Sequence, residues 1–340
     1  MELTIVLDLK APEISCALQA VLQASWLARL IQSELAAPAL SKQDRSPVTV
    51  ADFAVQALAS FFISKYFPDD ALMGEEDSQA LKTPQSSPQL AQATRYLKTI
   101  IPSASNQQVC DWIDRCASQP QGRYWVIDPI DGTKGFLRGG QYVIALALIE
   151  AGEVALGALG CPNLPLDNKR QTPGALFIAA RGAGCWQAAM PEDQQTNPAN
   201  LTWHLQRVSA QADPAQARLM CSFEASHTNL QALDRLAEHL HMKPSPLRLD
   251  SQVKYALLAA EQGDILIKPP PAEEPAYQEN IWDHAAGMLV VEEAGGKVTD
   301  LDGKPLDLIA GRKLVNNRGI LASNGYLHSA FLEAIRALEI

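Results

Sequence analysis

Basic residues are in short supply. Lysine and arginine number 28 against 38 aspartates and glutamates, for a formal net charge of −10. A surface of that sign repels nucleic acid and anionic membrane alike, so neither is an expected partner. Aromatic residues are scarce too, at 6%, which disfavours a protein that grips single strands by base stacking. The six cysteines, Cys16, Cys110, Cys116, Cys161, Cys185 and Cys221, form no C-x-x-C pair and stand at no zinc-knuckle spacing with a histidine. Scattered thiols of this kind read as small buried hydrophobes in a reducing compartment, and the expected location is cytoplasmic. The N-terminus carries Glu2 and Asp8 where a signal peptide would be basic and then apolar. The longest unbroken apolar run, Tyr142 to Ile149, is far short of the ~20 residues of a membrane helix.

What remains is a globular composition. The chain has 340 residues, 47% hydrophobic and 19% charged. That length suits about two domains and a core that needs no disulfide or metal staple. Apolar spacing predicts helices over 12–36 and from Thr49, as N-cap, to Tyr66. Residues 78–121 turn rich in Gln, Ser and Pro and read as an inserted surface subdomain or lid. From Arg123 short apolar runs separated by glycine predict consecutive strands, the longest of them Tyr142 to Ile149. The polar stretch 190–200, with Pro191 and Pro198, is the expected boundary between domains 1–200 and 201–340. Beyond it strands and helices alternate, as in an α/β layer.

Four segments carry chemistry. In Trp125-Val126-Ile127-Asp128-Pro129-Ile130-Asp131-Gly132-Thr133 an apolar strand ends in a carboxylate, a proline bends the chain, and a second carboxylate follows. Two such groups can share a hard divalent cation, and exposed N–H groups at Gly132 and Thr133 can hold a phosphate oxygen. Gly74-Glu75-Glu76-Asp77 places three acids after Ala71-Leu72-Met73, which is costly unless water or a cation receives them. Asp283, in Trp282-Asp283-His284-Ala285-Ala286-Gly287, and Asp52, after Ser46-Pro47-Val48-Thr49, each fall in the expected first turn of a helix. Taken singly, each acid is an ordinary turn or capping residue. Four segments that all bring carboxylates to strand ends or helix starts suit a multi-metal phosphoryl-transfer site.

The set D-P-I-D-G-T at 128–133 with W-D-x-A-A-G at 282–287 resembles the inositol monophosphatase-like superfamily of magnesium-dependent, lithium-sensitive phosphatases. Lys134-Gly135-Phe136-Leu137-Arg138-Gly139, Ser46-Pro47-Val48-Thr49, Leu249-Asp250-Ser251-Gln252-Val253-Lys254-Tyr255 and Tyr277-Gln278-Glu279-Asn280 narrow the likeness to its 3′(2′),5′-bisphosphate nucleotidase branch. The likeness runs nearly the whole chain. It implies an α+β and α/β layered α-β-α-β-α sandwich of the sugar phosphatase type. It also implies two magnesium ions, with a third held more loosely. Glu75, Asp128 and the Ile130 carbonyl would hold the first, and Asp128, Asp131 and Asp283 the second. Asp52 and Glu75 would lie near the third. Thr133 paired with Asp52 would orient or deprotonate water, a sensible division since a threonine hydroxyl is no base alone. Gly132 and Thr133 would hold phosphate, while His227, Ser251, Lys254 and Lys268 would contact the nucleotide. Lys268 stands nearest to where the family often has arginine, and a lysine cannot copy an arginine fork.

The implied reaction is hydrolysis of the 3′-phosphate of adenosine 3′,5′-bisphosphate, or of its sulfated form, in sulfur assimilation. Two other readings compete: a phosphatase of inositol phosphates, and a non-catalytic sensor of a bisphosphate nucleotide. A nicotinamide enzyme is disfavoured, because the one G-x-G, Gly182-Ala183-Gly184, lacks the third glycine.

Overall fold

A computed structural model describes residues 7–36, 47–83, 87–117, 121–166, 174–223 and 228–340. Helices α1 (Pro12–Ala36) and α2 (Pro47–Tyr66) open the chain. By length and composition α1 would pass for a membrane span, but Ala17, Leu18, Val21, Leu22 and Leu27 are buried in the core. α2 begins at Pro47, where a proline suits a first turn. Thr49 therefore lies inside the helix and is not its cap.

Strand β1 (Ala71–Gly74) is followed by α3 (Ser87–Leu97) and α4 (Asn106–Asp114). These helices occupy the segment expected to be an inserted subdomain or lid. Instead Tyr96, Leu97, Val109 and Ile113 are buried with α1 and α2. None of the described residues of 78–121 lines the cleft described below. The apolar positions of this segment are the outer wall of the first core.

The first sheet continues with β2 (Arg123–Asp131), then a single short helix α5 (Thr133–Leu137), β3 (Val143–Glu150), β4 (Glu153–Cys161), β5 (Ala175–Ala180), β6 (Cys185–Ala189) and β7 (His204–Leu205). Its strands lie in chain order, antiparallel except for the parallel pair β1 and β2. Because β7 still pairs with β6, this sheet runs past residue 200. The second sheet takes β8 (Leu219–Ser222), β9 (Leu247–Leu249), β10 (Ile265–Lys268), β11 (Lys297–Thr299) and β12 (Ile320–Ser323) in the order β11-β12-β10-β8-β9. Between these strands come α6 (Leu230–His239), α7 (Val253–Ala259) and α8 (Ala285–Glu293), and α9 (His328–Ala337) closes the chain.

Alternation along the strands assigns the layers. Trp125 and Ile127 of β2 pack with α1 and α2, while Tyr124 and Val126 face α7 and α8. Leu266 of β10 and Ile320 of β12 meet α7 and α8 from the other side. Ile265, Ile267 and Leu321 turn outward to α6 and α9. The result is the expected α-β-α-β-α sandwich. β3 reads as an unbroken apolar run because both of its faces are covered.

Candidate active site

Strand β2 does not stop at Asp128. It runs on to Asp131, and the register shifts between them: Asp128 faces Ala145 and Asp131 faces Val143. Three steps on β2 thus oppose two on β3, a bulge that accommodates Pro129, which has no N–H to give the ladder. Residues three apart on a regular strand point to opposite faces. The extra residue resets that parity, and both carboxylates line one cleft.

The turn after Asp131 is held by glycines. Gly132 adopts φ 88° and opens α5. A Cβ on Gly135 would lie 2.1 Å from the Gln141 carbonyl oxygen and 2.8 Å from Asp250 Oδ2. Only a bare backbone lets α5 press this closely on the loop carrying Asp250 and Ser251. Ser251 itself sits at φ 67°, a left-handed conformation uncommon for a residue with a side chain.

The cleft has a volume of about 420 Å³. Glu75, Asp128, Asp131 and Asp283 reach it from three separate segments, and Gly132, Thr133, Ser251, Lys254 and Lys268 line it with them. Ile130 also contributes to the wall. His227 lies outside the described residues. Asp52 is in the second turn of α2, where it caps nothing, is only 6% exposed, and is absent from the lining. Burial, then Glu76 and Glu75, push its carboxyl well above the ordinary range. The Thr133 hydroxyl donates to the Ile130 carbonyl oxygen at 3.2 Å. Among the described residues no hydrogen bond joins it to Asp52, so the expected pair is not made. Asp283 belongs to a one-turn 3-10 helix, Ile281–Asp283, that precedes α8. That placement, ahead of the long helix and not in its first turn, turns the carboxylate into the cleft.

The electrostatics follow from four acids with few cations. Burial raises Asp128 well above its ordinary value, and Asp131 and Glu75 add to the effect. Burial also raises Asp131, against the pull of Lys254. It lifts Asp283 to about 6, against Lys268. Glu75 is raised by burial of its inner side, then by Asp283 and Glu76. Asp128 Oδ1 is buried with no hydrogen-bond partner. An orphaned carboxylate oxygen beside three more acids is a donor set for a hard divalent cation, which takes oxygen ligands and removes the repulsion. The residues fit magnesium.

A second group, Glu279, Asp283 and His284, brings its ligand atoms within 4.8 Å of one another, but two of its members are committed. Glu279 accepts from Lys268 at 2.5 Å and lies 3.2 Å from His284 Nε2. The other ring nitrogen of His284 is 2.8 Å from the Tyr255 hydroxyl. Glu279 is held down to about 2 by Lys268 and His284, although burial opposes them. This chain fixes the cleft wall and leaves no lone pair on the imidazole for a metal.

Sequence reasoning missed that network and also Gln252. Gln252 is 1% exposed. Its backbone N–H donates to Asp131 Oδ2 at 2.6 Å, its amide donates to the Trp282 carbonyl at 2.9 Å, and its Oε1 accepts from Gly287 N–H at 3.0 Å. It staples the Asp131 turn to the segment bearing Asp283. Its place between Ser251 and Lys254 was the available signal.

The inositol monophosphatase family profile matches residues 11–339. The 3′(2′),5′-bisphosphate nucleotidase of Schizosaccharomyces pombe is 39% identical, over 96% of this chain and 95% of that protein. The protein of the same name from Oryza sativa is 38% identical, over 96% and 94%. Among solved structures, an IMPase from Thermotoga maritima aligns over 97% of this chain and 98% of its own, at TM-score 0.62 and 19% identity. An inositol monophosphatase from Anabaena gives TM-score 0.59 at 21% identity, over 95% and 94%. At these identities the two structures bear on the fold alone.

Proposed function

The chain belongs to the inositol monophosphatase family, and from that premise we propose that it is a magnesium-dependent phosphatase that removes the 3′-phosphate of adenosine 3′,5′-bisphosphate to leave AMP. The observation that carries the substrate is near-full-length identity of 35–39% to proteins named as bisphosphate nucleotidases. The cleft supports it by lining one cavity with two kinds of group: the carboxylates suit a phosphate that arrives with a cation, and Lys254 and Lys268 suit a second phosphate that stays.

Glu75, Asp128, Asp131, Asp283 and the Ile130 carbonyl would hold the ions. Magnesium supplies an acidified water and neutralises phosphate charge when bound. The chain's own groups do the rest. Backbone N–H groups at Gly132 and Thr133 face phosphate oxygens. The Thr133 oxygen keeps its lone pairs while it donates to Ile130 and can receive a water proton in a hydrogen bond. Lys254 gives two of its N–H groups to the Leu249 and Ser251 carbonyls at 3.1 and 2.7 Å, which aims the third. Burial pulls Lys254 down to about 8, against Asp131, so an anionic ligand would keep it charged.

Phosphate release in magnesium from adenosine 3′,5′-bisphosphate and from inositol 1-phosphate, side by side, tests this. A large excess for the nucleotide is expected. A preference for the inositol substrate would retain the carboxylate site and overturn the nucleotide reading.

A further inference from the structure

The strip 312–314, in the connection from β11 to β12, touches both halves of the carboxylate site and carries no carboxylate itself. Its backbone runs against 279–281: Ile281 N–H donates to the Arg312 carbonyl at 3.0 Å, and Leu314 N–H donates to the Glu279 carbonyl at 2.9 Å. Asn280 and Lys313 form the bridge between them. The Arg312 side chain then links the end of β1 to the 281–283 turn. Its Nη2 donates to the Gly74 carbonyl at 2.5 Å, next to Glu75. Its guanidinium lies over the Trp282 ring at 4.6 Å, next to Asp283.

Among the described residues Arg312 makes no salt bridge, although acids surround it. Its donors serve a carbonyl and its face serves an indole. A planar guanidinium donates at its edge while its flat face stacks on the ring, and an ammonium has no such face. The Gly74 turn is already fixed on its other sides. Gly74 N–H donates to the Cys116 carbonyl at 3.0 Å, and the Gln56 amide exchanges two hydrogen bonds with the backbone of Glu76 at 2.8 and 3.0 Å. Arg312 is the contact that ties this turn to Trp282.

We infer that Arg312 is a positioning residue, which sets the separation of Glu75 from Asp283 and thereby the affinity of the site for divalent cation. The inference rests on the cation site proposed above. It makes a prediction of definite sign. A guanidinium acting only through its charge repels a cation, so its removal would tighten binding. A guanidinium that holds two ligand segments in register strengthens binding, so its removal weakens it.

The probe is Mn2+, titrated by calorimetry or electron paramagnetic resonance into chelator-stripped wild type, Arg312→Gln and Arg312→Lys. No substrate is present. The expected result is binding weakened ten-fold or more in Arg312→Gln. Arg312→Lys should fall between, because it can reach the Gly74 carbonyl but cannot also stack. At saturating metal, KM for the nucleotide should stay near wild type in both variants, which a general loosening of the cleft would not allow. Unchanged or tighter Mn2+ binding in Arg312→Gln overturns the inference. Should that variant not fold, wild-type affinity in Arg312→Lys overturns it instead. If wild type itself binds no Mn2+, the cation site fails first, and the two failures are told apart.

Discussion

Replacing Gln252 by methionine keeps the length and bulk of the side chain and deletes both of its polar ends. Two buried backbone groups then lose their partners, the Trp282 carbonyl and the Gly287 N–H. Each such orphan costs about 1–3 kcal/mol, so roughly 4 kcal/mol in all is the working figure. For a chain of 340 residues the entropy of unfolding is roughly 0.7 kcal/mol/K. The expected loss is therefore about 6 °C in Tm. The bond from Gln252 N–H to Asp131 survives, because it comes from the backbone. The damage should fall on the Asp283 side, as a higher magnesium requirement, before it falls on turnover at saturating magnesium. Scanning calorimetry and a magnesium titration of activity read the two effects. A methionine variant that melts within about 1 °C of wild type would refute the stapling role.

The remaining predictions concern the acids, a histidine and a glycine. Asp131→Ala should lower turnover at least a hundred-fold, and wild-type kinetics in that variant would end its assignment as a ligand. In chelated protein Asp283 titrates near 6, raised from 3.8, so the folded state keeps a proton that the unfolded chain has released. Its contribution is present below pH 3.8 and lost as pH rises through 6, by up to about 3 kcal/mol. Denaturant curves of chelated wild type and Asp283→Asn should accordingly diverge in the variant's favour between pH 4 and 7, and a constant gap would contradict this. His328 sits between the Ser323 and Thr299 hydroxyls and burial holds it down to about 4. Its imidazole should stay neutral at pH 5.5 by NMR, and a midpoint at 6.5 would deny the effect of burial. Gly135→Ala forces a methyl into the Gln141 carbonyl and should abolish activity, since backbone must move; full activity would show that the α5 contact is slack.

The carboxylates were legible because the residues that build each turn lie within a few positions of one another. D-P-I-D-G-T names a bend, two acids and a helix start in six residues. The bulge that aims both acids into one cleft was not legible, because it is a relation between β2 and β3 that appears only in their register. The chain of contacts from Lys268 through Glu279 and His284 to Tyr255 escaped for the same reason. Their spacing follows no helix or strand period, and they meet because β10 and the 279–284 turn flank the same wall. Asp52 looked like a cap until α2 began at Pro47. The short strands β7 and β11 have two and three residues, too few for a pattern. Residues 78–121 misled because a polar outer face hid a wall of the core.

The central helices have a consequence for synthesis. The first sheet has both faces apolar, and α1 and α2 can cover one of them as soon as they are made. The other face waits for α7 and α8. β6 ends at Ala189 and α8 ends at Glu293. At about 5–20 residues per second a ribosome needs roughly 5–20 s to cross that interval. Throughout it the nascent chain offers an apolar sheet face that is not yet fully covered to its neighbours and to chaperones. The helix pair that completes the cleft thus also marks the moment when the chain stops being adhesive, and translation arrested before residue 293 releases an aggregation-prone fragment.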